Sequence, residues 1–182
     1  MTPTLLHKQH TNLVRGTIEQ IIALEQIIEK SIEFNNPVHI AFIDFTKAFG
    51  SIKLDKLLKL LETTSMNKIY INLLKLTYDE SNAQIKTNIG ITRSFKILNG
   101  LKQGDILSAL LFCIMIAAII WNSESDCQSG FYIGGELVSN LTYADIALMN
   151  TAQKDLQKFI DCLVKYSAEV GLYINLSKTE CM

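Results

Sequence analysis

At 182 residues, with 48% apolar content and a mean hydropathy of +0.21, the chain can bury the core of one domain and is not a disordered segment. Its 17 Lys+Arg against 18 Asp+Glu give a net charge of -1, so bulk charge does not announce a nucleic-acid partner, and any such partner has to be argued from a site. Four cysteines (Cys113, Cys127, Cys162, Cys181) at irregular spacings, with no C-x-x-C pair and no cleavable leader at the start, predict reduced thiols in an intracellular protein.

His7 and His10 stand three apart without a cysteine or carboxylate nearby, and are read as surface histidines. Thr17 to Gln20 has capping-box form, and Ile18, Ile21, Ile22, Leu24, Ile28 and Ile32 recur at helical spacing, predicting a helix over 17–34. Asn35-Asn36-Pro37 breaks it, and the nearly continuous apolar run over 38–44 predicts a strand buried on both faces. Leu54, Leu57, Leu58 and Leu61 mark a second helix, and a third is expected over 67–78. Short alternating segments over 83–87 and 94–98 predict a strand pair ended by Asn99-Gly100.

The glycine-bearing segment 100–104 leads into the longest apolar run, 106–121. That run contains Ser108 and several small residues and falls short of the ~20 residues needed to span a bilayer, so it predicts a buried helix and no membrane partner. Gly130, Gly134 and Gly135 punctuate small strands. Residues 136–143 and 146–150 read as two arms of a hairpin with Asp145 at its tip, followed by an amphipathic helix over 155–171 ending at Gly171, and a last strand over 172–175. With no repeat or linker, this order predicts a single α+β layered domain.

Two of the expected strands carry a single aspartate at one end, Asp44 and Asp145. A carboxylate at the end of a buried strand is costly to desolvate unless a cation or donors compensate it, and two such groups side by side make a site for a hard divalent metal.

The segment Ala41-Phe42-Ile43-Asp44-Phe45-Thr46-Lys47-Ala48-Phe49, with Gly100-Leu101-Lys102-Gln103-Gly104-Asp105 and Tyr143-Ala144-Asp145, resembles the palm of reverse transcriptases of non-LTR (LINE-type) retrotransposons. Arg15-Gly16-Thr17-Ile18-Glu19-Gln20-Ile21 and Gly171-Leu172-Tyr173-Ile174-Asn175-Leu176-Ser177-Lys178-Thr179 resemble flanking blocks of the same family, so five blocks in order cover most of the chain. The resemblance implies a ferredoxin-like core with an antiparallel sheet packed on helices, with 1–37 as a remnant of the fingers, 38–182 as the palm, and no thumb. It implies RNA-directed DNA polymerase activity, an RNA template, a DNA primer and deoxynucleotide triphosphates as partners, and two Mg²⁺ ions as cofactors.

In that setting Asp44 and Asp145 would be the metal ligands, consistent with the need of phosphoryl transfer for carboxylates that converge from separate strands. Lys178 would correspond to a general acid for the departing pyrophosphate. Phe49, five residues after Asp44, would lie against the sugar, the backbone at Lys47 and Ala48 would face the triphosphate, and Gln103 and Gly104 would meet the template nucleotide. Without the resemblance, these are a core Phe, a solvated lysine and a loop before a helix.

The chain departs from the family pattern at three places. Ile146 follows Asp145 directly, where the family reads Tyr-Ala-Asp-Asp; Gly50 stands where an Asp usually follows Ala-Phe; Ile106 and Ala109 replace expected prolines. One missing residue at the hairpin tip requires either a slip of the arm, which turns its side chains over, or a tighter turn. These departures imply impaired catalysis, with a noncatalytic RNA- or protein-binding module as the alternative.

Overall fold

The computed structural model describes residues 17–79, 81–127, 130–133, 136–142 and 146–182. His7, His10 and Asp145 lie outside these residues. Helix α1 (Thr17–Glu33) leads to strand β1 (His39–Ile43), the short helix α2 (Ala48–Ser51), and helices α3 (Leu54–Thr63) and α4 (Lys68–Asp79). Four two-residue strands follow, β2 (Asn82–Ala83), β3 (Lys86–Thr87), β4 (Gly90–Ile91) and β5 (Phe95–Lys96), and then the long helix α5 (Ile106–Cys127). The rest is β6 (Phe131–Ile133), β7 (Glu136–Val138), β8 (Asn140–Thr142), β9 (Ile146–Asn150), α6 (Gln153–Glu169) and β10 (Glu180–Cys181).

The central sheet is antiparallel, in the order β10-β1-β9-β8. Its register pairs every residue of β1 with one of β9, from His39 with Asn150 to Ile43 with Ile146. Alternation along the strands splits the apolar side chains between two layers. Ala41, Ile43, Ile146 and Leu148 enter the main core with Leu57 and Leu61 of α3, Leu111, Met115 and Ile119 of α5, and Phe159 and Leu163 of α6. Ile40, Ala147 and Met149 face the other way, where Leu24, Ile27 and Ile28 of α1 cover them. Each large apolar side chain buried this way contributes roughly 1.5–3 kcal/mol.

Both faces of β9 are therefore apolar, and all five of its residues are buried. A one-residue slip would exchange Ile146 and Leu148 for Ala147 and Met149 without exposing a polar face.

Helix α5 is long and apolar enough by length and composition to cross a membrane. Here Leu111, Met115, Ile116, Ile119 and Ile120 are buried among α3, α6 and the sheet, which is the use of a core helix. Asp105 starts it, accepting a hydrogen bond on Oδ1 from the Leu107 N–H at 3.1 Å. Its polar last turns are held from both sides: Ser123 Oγ donates to the Ile119 carbonyl at 2.8 Å, while Glu124 accepts from Ser139 and from Asn140 Nδ2.

Three local expectations need correction. The arm expected over 136–143 is two strands: β7 pairs with β6, and β8 pairs with β9. The last strand expected over 172–175 is only an isolated bridge between Phe45 and Ile174, because the Asn175 carbonyl accepts from the N–H groups of Lys178 and Thr179 and turns the chain. The strand that completes the sheet is β10, pairing with Ala41 and Phe42, and its exposed Glu-Cys pair has no apolar signature to announce it.

The third correction concerns thiols. Cys127 at the end of α5 and Cys162 on α6 meet sulfur to sulfur, with Cα atoms 7.3 Å apart and 35 residues between them in sequence. Irregular spacing along a chain does not reveal a pairing across two packed helices. Cys113 and Cys181 are free, and burial pushes the Cys113 thiol up from its usual range.

Candidate active site

Asp44 is the first residue past β1, at the corner where the sheet meets the segment after α6. About one third of its side chain is exposed. Its carbonyl accepts from the Asn175 N–H at 2.8 Å, and two residues on, the Thr46 N–H donates to the Tyr173 carbonyl at 2.8 Å. These bonds flank the Phe45–Ile174 bridge and lock residues 44–46 against 173–175. The Asp44 carboxylate is gripped at one oxygen: Asn175 Nδ2 donates to Oδ2 at 3.2 Å, and Lys178 Nζ stands 4.0 Å from the same atom. Among the described residues no hydrogen bond reaches Oδ1.

Asn175 was not singled out by the sequence, yet it organises this corner. Its Oδ1 accepts from the Ser177 N–H at 3.2 Å and from Ser177 Oγ at 2.7 Å, while its carbonyl caps Lys178 and Thr179. Asn followed two residues later by Ser is the signature of such a side-chain-mimicked turn, and this was the available signal. The turn carries Lys178, 70% exposed, back over Asp44. A pair this open to water contributes about 0–1 kcal/mol, so its geometry speaks for placement rather than stability.

The segment after Asp44 bends sharply. Lys47 takes a left-handed conformation with φ 48° and precedes the single turn of α2, which is closed by the Ser51 N–H donating to the Lys47 carbonyl at 3.1 Å. Lys47 is exposed, while Ala48 and Phe49 are half-buried against the main core. The Phe49 ring stacks on Phe112 of α5, with centroids 4.6 Å apart and planes 20° from parallel. The Phe49 carbonyl accepts from the Leu101 N–H at 2.7 Å, and the Ile52 carbonyl from the Gly100 N–H at 2.8 Å.

These bonds bring the glycine segment beside α2. Gly100 is required there: its φ is +91°, and a Cβ would stand 2.8 Å from the Gly50 carbonyl oxygen. Gln103 and Gly104 follow on an exposed turn before α5. Gly171 closes α6 in the same tight manner, with φ +89° and the Ser51 carbonyl where a Cβ would sit. Its N–H bonds Ala168, and the Leu172 N–H bonds Ser167, a left-handed helix cap of the kind expected at this glycine.

Of the residues expected to act together, the structure thus joins Asp44 to Lys178 directly, and Phe49 to the 100–101 backbone. It leaves Gln103 and Gly104 on the neighbouring turn. No group of three or more acidic, His or Cys side chains that could hold a metal ion occurs among the described residues.

The profile of the reverse transcriptase (RNA-dependent DNA polymerase) family matches residues 4–182. The chain is 23% identical over 164 residues to the Pol polyprotein of the type-2 retrotransposable element R2DM of Drosophila melanogaster, covering 90% of this chain and 15% of that protein. It is 27% identical over 159 residues to the Pol polyprotein of a type-1 retrotransposable element R2 of Nasonia vitripennis, covering 86% and 15% respectively. It thus spans about a seventh of the length of these curated relatives. Among solved structures, telomerase of Candida tropicalis in complex with a telomeric RNA fragment superposes with a TM-score of 0.73 at 16% identity, over 98% of this chain and 32% of that one. Telomerase of Candida albicans gives 0.71 at 14% identity, over 96% and 31%. The fold is that of a reverse-transcriptase palm, and the chain belongs to the reverse transcriptase family.

Proposed function

We propose that the corner where β1 and β9 end is the nucleotidyl-transfer site of an RNA-directed DNA polymerase palm of retrotransposon type. The observation that carries this reading is the pairing of Ile43 with Ile146. Asp44 follows the first in sequence and Asp145 precedes the second, which supports reading the two as partners in one site. In this reading residues 38–182 are the palm and 1–37 a remnant of the fingers, and the protein works inside the cell on an RNA template and a DNA primer.

The donors suit magnesium, a hard ion bound through one or two carboxylates together with substrate phosphates. Asp44 and Asp145 would hold it, and a pair of such ions would neutralise charge on the attacking and leaving oxygens. The chain's own groups supply the remainder. Asn175 holds Asp44 Oδ2 with no described hydrogen bond to Oδ1, and Lys178, 4.0 Å from the same Oδ2, would give a proton to departing pyrophosphate. The backbone N–H groups at Lys47 and Ala48 would face the triphosphate. Phe49, backed by Phe112, walls the sugar against a 2′-OH, and Gln103 and Gly104 meet the template nucleotide.

The chain has one carboxylate fewer at the hairpin than the family's Tyr-Ala-Asp-Asp. Preorganised charge of this kind is worth about 10²–10³ in rate, so extension is slow. Primer extension on an RNA template with Mg²⁺ or Mn²⁺, comparing the chain with Asp44→Ala, tests the reading. Slow product that disappears with Asp44→Ala supports it, and reinserting Asp after Asp145 accelerates it. Absence of any Asp44-dependent product favours the second reading, a noncatalytic binding module, for which the direct step from Asp145 to Ile146 is the motivating observation.

A further inference from the structure

The near-neutral net charge conceals an uneven distribution. Residues 81–104 hold four cations, Lys86, Arg93, Lys96 and Lys102, and none of the 18 acidic residues. Within it, residues 82–96 form one exposed hairpin with two short ladders. Asn82 pairs with Lys96 and Ala83 with Phe95 at its base, Lys86 with Ile91 and Thr87 with Gly90 toward its tip. All four cations are exposed, and among the described residues none makes an ion pair. Apolar groups accompany them: Ile89 at the tip is 99% exposed, and Ile85, Ile91 and Phe95 are also open to solvent.

We propose that this hairpin is a sequence-independent clamp for a nucleic-acid strand, the cations meeting phosphates and Phe95 with the exposed isoleucines lying against bases and sugars. The inference deepens the polymerase reading and rests on it for the choice of partner. Charge complementarity argues for a phosphate chain over a folded protein surface, because unpaired cations spread along a ribbon match a regular line of anions. From the Lys96 level to the Lys86 level is four residues, about 13 Å at ~3.3 Å per residue. Exposed aromatic and aliphatic groups between cations add sequence-tolerant stacking.

The hairpin's root makes the location useful. The Ile97 N–H bonds the Ser81 carbonyl at 2.9 Å, and the chain then runs to Gly100 and Leu101, which bond Ile52 and Phe49. A strand held on the hairpin is thereby led toward α2 and the Asp44 corner.

Fluorescence anisotropy of a labelled, mixed-sequence single-stranded RNA, measured across a salt series, tests the proposal on the full chain. The triple variant Lys86→Gln/Arg93→Gln/Lys96→Gln is expected to bind at least tenfold more weakly at low salt, with the log–log salt slope reduced by about 2. Phe95→Ala is expected to cost about tenfold with the slope unchanged. Thermal melting of both variants checks that the fold is intact. Equal affinity and slope for the triple variant and the parent overturn the proposal, as does binding to phosphatidylserine vesicles without binding to RNA. Primer extension by the parent and by Asp44→Ala, run beside the binding series, separates the two readings. If the hairpin-dependent binding is found while no Asp44-dependent extension is, the clamp stands and the polymerase reading falls.

Discussion

The central sheet and the hairpin over 82–96 are built from the same short β-strands, yet they are stabilised in different ways. Strand β9 has all five residues buried, its neighbours are fixed in register on both sides, and two apolar layers cover it. The hairpin strands are two residues long, held by a few backbone bonds, and nearly every side chain on them faces water. A sheet constrained on both faces can hold a carboxylate at its edge to a fixed position. A ribbon with free side chains can instead meet a partner, and its sequence is released from packing. Precision and contact surface are thus assigned to separate parts of one domain.

Substitutions that break this contrast should differ in size accordingly. Leu148→Ala removes a fully buried side chain between α5, α6 and the sheet, and should cost about 2–5 kcal/mol in urea or guanidinium unfolding. Gly171→Ala comes next: a left-handed φ and a Cβ against the Ser51 carbonyl should cost about 1–3 kcal/mol and loosen the 173–175 segment that braces Asp44. Thermal unfolding with a parallel primer-extension assay would show both effects together.

A smaller, pH-dependent effect lies where α5 meets α6. The Tyr166 hydroxyl, donating to Asp126 Oδ2 at 2.6 Å, and secondarily Lys165, hold the Asp126 carboxyl below its usual range. A depressed carboxylate contributes stability above its unfolded-state pKa and loses it as pH falls through the folded-state value. Tyr166→Phe should therefore lower stability slightly at neutral pH, and its difference from the parent should vanish in strong acid. A difference that grew on acidification would contradict the assignment. The smallest effect belongs to the hairpin tip: Ile89→Ser should change stability by less than about 0.5 kcal/mol, which denaturant unfolding can bound.

Much of this was legible in the chain. Apolar periodicity located α1, α3, α4 and α6 to within a few residues, and Gly171 marked the end of α6 because its left-handed cap suits glycine alone. The run over 38–44 gave β1 for the same reason, since a strand buried on both faces has no polar alternation. What was hidden depended on partners distant in sequence. β10 is an exposed Glu-Cys pair made a strand only by its neighbour β1. The meeting of Cys127 and Cys162 is decided by helix packing.

The site divides along the same line. Asp44, Phe49 and Lys178 stood out through motif and chemistry, and the structure sets Lys178 over Asp44. Asn175 and Phe112 did not stand out, because each acts on another residue: one grips a carboxylate 131 positions away, and the other backs a ring across the core. The basic hairpin escaped notice for a different reason, since a whole-chain charge of -1 averages it away.

The proposed site requires Asp44 and Asp145 to share one divalent cation. Titrating the ¹⁵N-labelled chain with Mn²⁺ and following paramagnetic broadening of backbone amides tests it most directly. Early, joint broadening at Asp44, Phe45, Asp145 and Ile146 is expected, abolished by Asp44→Ala and weakened by Asn175→Ala. Broadening confined to other acidic surfaces, or broadening near Asp145 that persists in Asp44→Ala, would contradict it.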